Sequence, residues 1–300
     1  MAEAATGTSP DDLIAHADAA LYEAKQRGRC QAVRADQALR ARRSIWTRCE
    51  RDLRFAIENH NVEAWFQPEV DLISGEVVAA EALARWHVDG EIETIESFAE
   101  VARKGGLLEP LMFSMIEQIW VWRMRSGSRL PVSLNLSVAN LAALVESQDG
   151  SAGSRPLDGL RLEIAEPDIV SDTDFIAEVL GRARSLGAEV FVDNFGQGNS
   201  SLRTLADLPL DGVKIAETMI DRVETDVRVR QLVTLLAEYG RECGLAVVAE
   251  GVENRAQADF LAGVGIDRAL GPLFSAALEP EDFDLACELG CASTSLSSLF

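Results

Sequence analysis

The chain has 300 residues, room for one large domain with an appendage, and its 47% apolar content is ample for a core. Its 28 basic and 49 acidic residues give a formal net charge of -21, so the surface repels nucleic-acid phosphates and excludes duplex binding. The five cysteines (Cys30, Cys49, Cys243, Cys287, Cys291) form no C-x-x-C pair, which points to reduced thiols in a cytoplasmic protein. His16, His60 and His87 are too scattered for a zinc site. No apolar run is long enough for a membrane segment, and the N-terminus lacks the basic start of a signal peptide.

In chain order, residues 1–10 read as a loose end. An amphipathic helix is predicted over 11–28, with Leu13, Ala17, Ala20, Leu21 and Ala24 on one stripe and Gly28 as its stop. An arginine-rich helix over 37–60 follows, and residues 31–49 read as a linker. From Glu63 the pattern becomes strand-like. EAWFQPEVDL and EVVAAEALARW are joined by the short turn Ile73-Ser74-Gly75, a link that permits only an antiparallel hairpin. Glu81, Leu83 and Arg85 share one face of the second strand by its period of two. Helices are expected at 95–104, 109–125, 138–146, 172–186, 200–208, 226–243 and 254–264. Between them lie the strands LPVSLNLS, LRLEIAE, AEVFVD, GVK, LAVVAE and a short one near Arg268–Gly271. Ser171 to Asp174 reads as a capping box, 147–156 as a loop and 289–300 as a frayed tail. Eight strands with helices between most of them predict an α/β fold, a (β/α)8 TIM-like barrel with an antiparallel first strand.

Six polar residues close strand-like runs: Glu81, Asn135, Glu163, Asp193, Lys214 and Glu250. A barrel of this class builds its site from the ends of several strands on one face. Four carboxylates, an amide and a lysine at one mouth suit a hard cation and a phosphate. The chain holds only three lysines, Lys25, Lys104 and Lys214, so a lysine at a strand end is not there merely because lysine is common.

These runs resemble the EAL-domain family, the cyclic di-GMP phosphodiesterases of bacterial second-messenger signalling. The signature reads Glu81-Ala82-Leu83, followed by Arg85-Trp86. Phe66-Gln67-Pro68, Asn135-Leu136-Ser137, Glu163 to Glu166, Asp193 to Gly196 with Ser200 to Leu202, Lys214-Ile215 and Ala249 to Glu253 match in order. The resemblance implies an EAL domain over 50–288. Residues 17–29 resemble the closing helix of a GGDEF domain, so 1–30 is expected to be a remnant of one, unable to make cyclic di-GMP. The resemblance further implies Mg²⁺ or Mn²⁺ on Glu81, Asn135, Glu163 and Asp193, with Lys214 and Glu250 catalytic. Gln67, Leu83 and Arg85 would contact substrate, and Glu166 and Glu253 would support the ligands. It implies a homodimer as well, for which Met219, Ile220 and Val223 look like exposed contacts.

The family pattern is broken at four places around a second metal site. Asn194 replaces an aspartate, Ala216 another, and Leu270 a glutamine expected at the pocket's edge. The loop from Gly196 to Asn199 departs from Gly-Thr-Gly-Tyr. The second site is therefore expected to be lost. Three readings stand: a degenerate cyclic di-GMP receptor, a module working through a protein partner, or an active phosphodiesterase with weakened metal use.

Overall fold

The structure is a computed structural model that describes residues 37–88, 90–148, 157–169, 173–198 and 202–289, with side chains from residue 46. The expected helix 11–28, the GGDEF-like remnant, the capping box at Ser171, the loop 149–156, Asn199 and the tail beyond Leu289 lie outside the described residues.

The chain divides into two compact units. The described part of the smaller unit comprises residues 37–61, with all of helix α1 (Gln37–Glu58), and residues 96–107, which hold most of α2 (Ile95–Lys104). Inside it Arg54 donates to the Gly105 carbonyl at 3.3 Å, and the Lys104 ammonium lies 4.9 Å from the Trp46 ring centroid. Helix α1 runs without interruption through residue 49, where the sequence places the end of a linker.

The larger unit is the barrel. Its strands are β1 (Val62–Asp71), β2 (Val77–Val88), β3 (Glu91–Thr94), β4 (Val132–Leu136), β5 (Leu160–Ala165), β6 (Glu189–Phe195), β7 (Gly212–Ile215), β8 (Ala246–Ala249) and β9 (Arg268–Ala269). The order β1-β9-β8-β7-β6-β5-β4-β2 closes through a β1–β2 pairing, and β3 hangs outside the ring on β2. Strand β1 is antiparallel to both its neighbours, and the remaining ring pairings are parallel. The hairpin that forces this is pinned by Asp71, whose Oδ1 accepts from the amides of Ile73 and Ser74, with Gly75 at φ 75 completing the turn.

Helices α3 (Leu108–Ser126), α4 (Val138–Ser147), α5 (Thr173–Ser185), α6 (Leu202–Asp207), α7 (Glu217–Ile220), α8 (Val227–Cys243), α9 (Arg255–Val264) and α10 (Pro280–Leu289) complete the unit, with a short 3-10 turn over Glu166–Ile169. Their starts follow local chemistry. Ser137 accepts from the Asn140 amide at the start of α4, Asp226 caps α8, and Asn254 with Gln257 forms a reciprocal capping box on α9. Apolar residues of β4 to β8 and of the helix faces against them, such as Leu162, Ile164, Val190, Val213, Leu144, Leu180 and Val233, are buried. Among the described residues no helix is long and apolar enough to cross a membrane.

Two expectations are corrected here. Strand β3 was not anticipated, because its residues are mostly exposed and show no apolar alternation. Met219, Ile220 and Val223, expected on the surface, are 6%, 0% and 1% exposed. The segment after β7 forms only one helical turn, and Met219 fills the space over Gly196, where an added Cβ would meet its sulfur.

Candidate functional site

Alternation along each strand sends every second side chain into the barrel lumen. Register then stacks them in layers. Asn135 pairs with Glu163 across β4 and β5, and Ser133 pairs with Arg161 one layer below. Glu81 on β2, Glu163 on β5, Asp193 on β6 and Glu250 just after β8 converge on Lys214 of β7.

Lys214 is wholly buried, and its Nζ lies 2.6 Å from Glu81 Oε2, 2.8 Å from Glu163 Oε2, 2.5 Å from Glu250 Oε1 and 3.8 Å from Asp193 Oδ1. Five of the six predicted strand-end residues therefore meet at one ammonium. The sixth, Asn135, joins by donating its side-chain amide to Glu81 Oε1 at 2.8 Å, which leaves its carbonyl oxygen free of that bond. Burial would push the Lys214 ammonium down, but the carboxylates of Glu163, Glu250, Glu81 and Asp193 outweigh it and hold its pKa well above the usual value. Burial drives Glu163 and Glu250 the other way, each up to about 8, against the pull of Lys214.

The donor set suits a hard divalent cation: three carboxylates and one amide carbonyl among Glu81, Asn135, Glu163 and Asp193. One oxygen of the set, Glu163 Oε1, is buried without a hydrogen-bond partner. These residues fit the ion the resemblance implies.

At the expected second metal site the geometry differs. Asn194 takes φ 57, a left-handed conformation that asparagine tolerates, at an irregularity in the β6–β7 pairing. Its side-chain amide donates to Asp193 Oδ2 at 2.7 Å, and its backbone amide donates to Asp193 Oδ1 at 2.8 Å. Both oxygens of Asp193 are thus engaged by the residue at the position where the resemblance expects a second carboxylate. Asn194 Oδ1 in turn accepts from Gln197 at 3.0 Å. Ala216 is fully buried at the start of α7 and offers no ligand. Leu270, expected at the pocket's edge, lies in the lumen against Phe191 and Val248, 5% exposed. Its backbone bridges two neighbours, the amide donating to the Ala249 carbonyl at 3.0 Å and the carbonyl accepting from the Val252 amide at 3.1 Å.

The remaining predicted residues divide. Glu166 Oε2 accepts from the amides of Gly196 and Gly198 at 2.8 and 2.9 Å and so fixes the loop after β6. Glu253 is not at the ring; its carboxylate is exposed and grouped with those of Glu217 and Asp221. Gln67 donates to the Ser275 carbonyl at 3.1 Å, and Arg85 donates to its neighbour Ala84 O at 3.1 Å with its guanidinium 6.0 Å from the Trp65 ring centroid. Leu83 lines an apolar crevice with Ile95, Leu108, Met112 and Leu136, beside Asn135.

Sequence reasoning missed a buried pair beneath the ring. Arg161 Nη1 lies 2.5 Å from Glu69 Oε2, Arg161 Nε donates to Glu189 at 3.1 Å, and the guanidinium carbon is 4.2 Å from the Phe191 centroid. Arg161 and Glu69 are 0% and 2% exposed. The signal was available: Arg161 stands two residues before Glu163 on one strand, so it must share its lumen face. Burial would lower the Arg161 pKa, and the carboxylates of Glu69, Glu189 and Glu163 raise it above the ordinary value.

Residues 50–277 match the family described as the EAL domain. The cyclic di-GMP phosphodiesterase PdeR of Escherichia coli (strain K12) is 30% identical over 93% of this chain and 43% of its own length. The signaling protein YkoW of Bacillus subtilis (strain 168) is 30% identical over 93% of this chain and 36% of its own length. The chain thus spans less than half of these relatives. The structure of the PaMucR phosphodiesterase in its c-di-GMP complex superposes with TM-score 0.70 at 29% identity, covering 79% of this chain and 99% of that one. The EAL domain of Xanthomonas citri FimX, in complex with c-di-GMP, shares the fold at TM-score 0.71 and 16% identity, over 80% of this chain and 97% of that one.

Proposed function

We propose that this chain, which belongs to the EAL-domain family, is a degenerate member that binds cyclic di-GMP without hydrolysing it at a useful rate. The observation that carries the reading is the Asn194 amide on Asp193 Oδ2. In a two-metal site a carboxylate shared between ions needs lone pairs toward both, and a second anionic group beside it. Here the second group is neutral and spends its donor on that shared oxygen, while Ala216 contributes nothing. The remaining ring suits one Mg²⁺ or Mn²⁺. Such an ion polarises a phosphodiester oxygen and lowers the pKa of bound water.

The parts for recognition are retained. Arg85 carries the charge for a phosphate oxygen, Gln67 an amide, and Leu83 an apolar face beside Asn135. Lys214 and Glu250, the pair a full enzyme would use on water, are committed to each other at 2.5 Å. In this reading the domain is a cytoplasmic receptor whose output passes to a protein partner or a second copy of the chain, through surfaces other than Met219, Ile220 and Val223. The domain boundaries proposed are 50–288 for the EAL domain and 31–49 for the linker.

The test is calorimetric titration with cyclic di-GMP, with and without Mn²⁺, beside chromatography for the linear dinucleotide. Binding with negligible turnover is expected. Robust turnover that Glu81→Ala abolishes overturns the reading. Absence of binding under both conditions overturns the receptor role and leaves partner contact.

A further inference from the structure

The centre of the carboxylate ring is filled by the protein itself. Three carboxylates from three parts of the barrel direct one oxygen each at a single ammonium, at 2.5 to 2.8 Å, with Asp193 at 3.8 Å. Lys214 is the only lysine among the described residues of the barrel and is completely buried. A buried carboxylate needs a positive partner, and here four carboxyl groups gather round a single ammonium. One ammonium answers three of them, yet Glu163 Oε1 stays buried without a partner. The arrangement is that of a cation seat held by a monovalent occupant.

We propose that Lys214 is a built-in placeholder cation: its ammonium occupies the seat of the first divalent ion, and ion binding requires it to move off Glu81 and Glu163. Two features make the occupant persistent. Asn194 engages Asp193, so that carboxylate is not available to draw a second ion in. Ala216 adds no further carboxylate beside those of the ring. Glu250, 2.5 Å away and less buried than Glu163, is the partner to which Lys214 retreats. The closed state needs no metal to hold its charges together, so the domain folds without metal and divalent affinity is set by competition with a tethered amine. This inference rests on the same view of the ring as a cation seat, but it does not depend on nucleotide binding or on turnover.

The experiment uses the whole chain, freed of metal and without nucleotide. Mn²⁺ is titrated calorimetrically into wild type and Lys214→Met, with thermal melts in parallel. The methionine variant removes the charge and keeps most of the volume. Without the tethered competitor it is expected to bind Mn²⁺ at least tenfold more tightly, and to gain more in Tm from the ion than wild type gains. Equal or weaker binding by the folded variant overturns the proposal, as does absence of binding by both proteins. If Lys214→Met does not fold without the ion, wild type supplies the test. The chain contains three lysines, so the nitrogen resonance of a buried ammonium can be assigned by Lys104→Arg and Lys25→Arg. Saturation with diamagnetic Mg²⁺ should shift that resonance and expose it to solvent exchange. A resonance unmoved while calorimetry registers Mg²⁺ binding shows that Lys214 never held the seat.

Discussion

Replacing Arg161 with methionine isolates the buried pair beneath the ring. Arg161 and Glu69 side chains are 1% and 3% exposed, and the nearest other cation to Glu69 is Arg268 at 3.8 Å. Arg161→Met leaves the Glu69 carboxylate in the lumen with that one distant, partly solvated partner. Breaking a buried pair from one side costs about 3–5 kcal/mol, because the surviving charge is uncompensated. Total stability of a domain is typically about 5–15 kcal/mol, so the variant loses a large share of it. With a urea m-value of about 1–3 kcal/mol/M, the midpoint should fall by more than about 1 M. The double change Glu69→Leu with Arg161→Met removes both charges and supplies apolar volume beside Phe191. It should recover most of the loss, since apolar replacement of a buried pair is often neutral or stabilising. With the single variant Glu69→Leu added, the four proteins form a thermodynamic cycle read by circular dichroism in urea. A midpoint for Arg161→Met within about 0.3 M of wild type would refute the argument, and so would a double variant as unstable as the single one.

The metal-free protein should lose stability as pH rises from about 5 to about 8. Glu163 and Glu250 have folded pKa values raised to about 8 from an unfolded 4.5, so the native state binds more protons across that window; the stabilisation is full below 4.5 and gone above 8. Thermal melts in chelator should show Tm falling through that range, and a flat or rising profile counts against the ring as described. Asn194→Asp combined with Ala216→Asp should restore measurable hydrolysis of cyclic di-GMP with Mn²⁺. Adding Leu270→Gln should bring no further gain and should cost about 1–3 kcal/mol, because that side chain lies among Phe191 and Val248 and its amide would have no partner there. Glu166→Ala removes the acceptor for two backbone amides, at about 1–3 kcal/mol, and should speed hydrogen exchange at Gly196 and Gly198 without affecting β8.

The barrel and most of the ring were legible because strand ends carry a parity rule. An apolar run that stops on Glu163 or Asp193 places that side chain in the lumen wherever its neighbours alternate. The same rule reaches Arg161, but a charged residue two positions below another reads as a solvated face until closure of the sheet removes the solvent. Met219, Ile220 and Val223 went unread for the opposite reason. Their spacing is compatible with an exposed stripe, but all three are buried, with Met219 seated over Gly196 of the loop after β6. Leu270 stands where the resemblance expects an amide, and it packs against Phe191 and Val248 of other strands, a contact that no local pattern encodes. The contact between Asn194 and Asp193 lay beyond sequence reasoning as well. Sequence shows two adjacent polar residues; that the Asn194 side-chain amide donates to the Asp193 carboxylate is a matter of backbone conformation at φ 57.

The reversed first strand has a consequence for how information enters the domain. In a barrel whose strands all run one way, the chain enters at the end opposite the site. Here Val62 pairs with Trp86 and Gln67 with Glu81, so β1 begins above the ring and descends past it. Five residues of extended chain separate the point of entry from Gln67, about 17 Å at strand rise. A pull or twist applied to the backbone before Val62 is therefore delivered first to the mouth, along the strand that carries Gln67, before it reaches the floor where Glu69 is locked to Arg161. The floor holds the lower end of that strand and Gln118 its start, accepting from the Ala64 amide and donating to the Val62 carbonyl at 2.9 Å, so Gln67 lies between two anchors and moves only when the upper one yields.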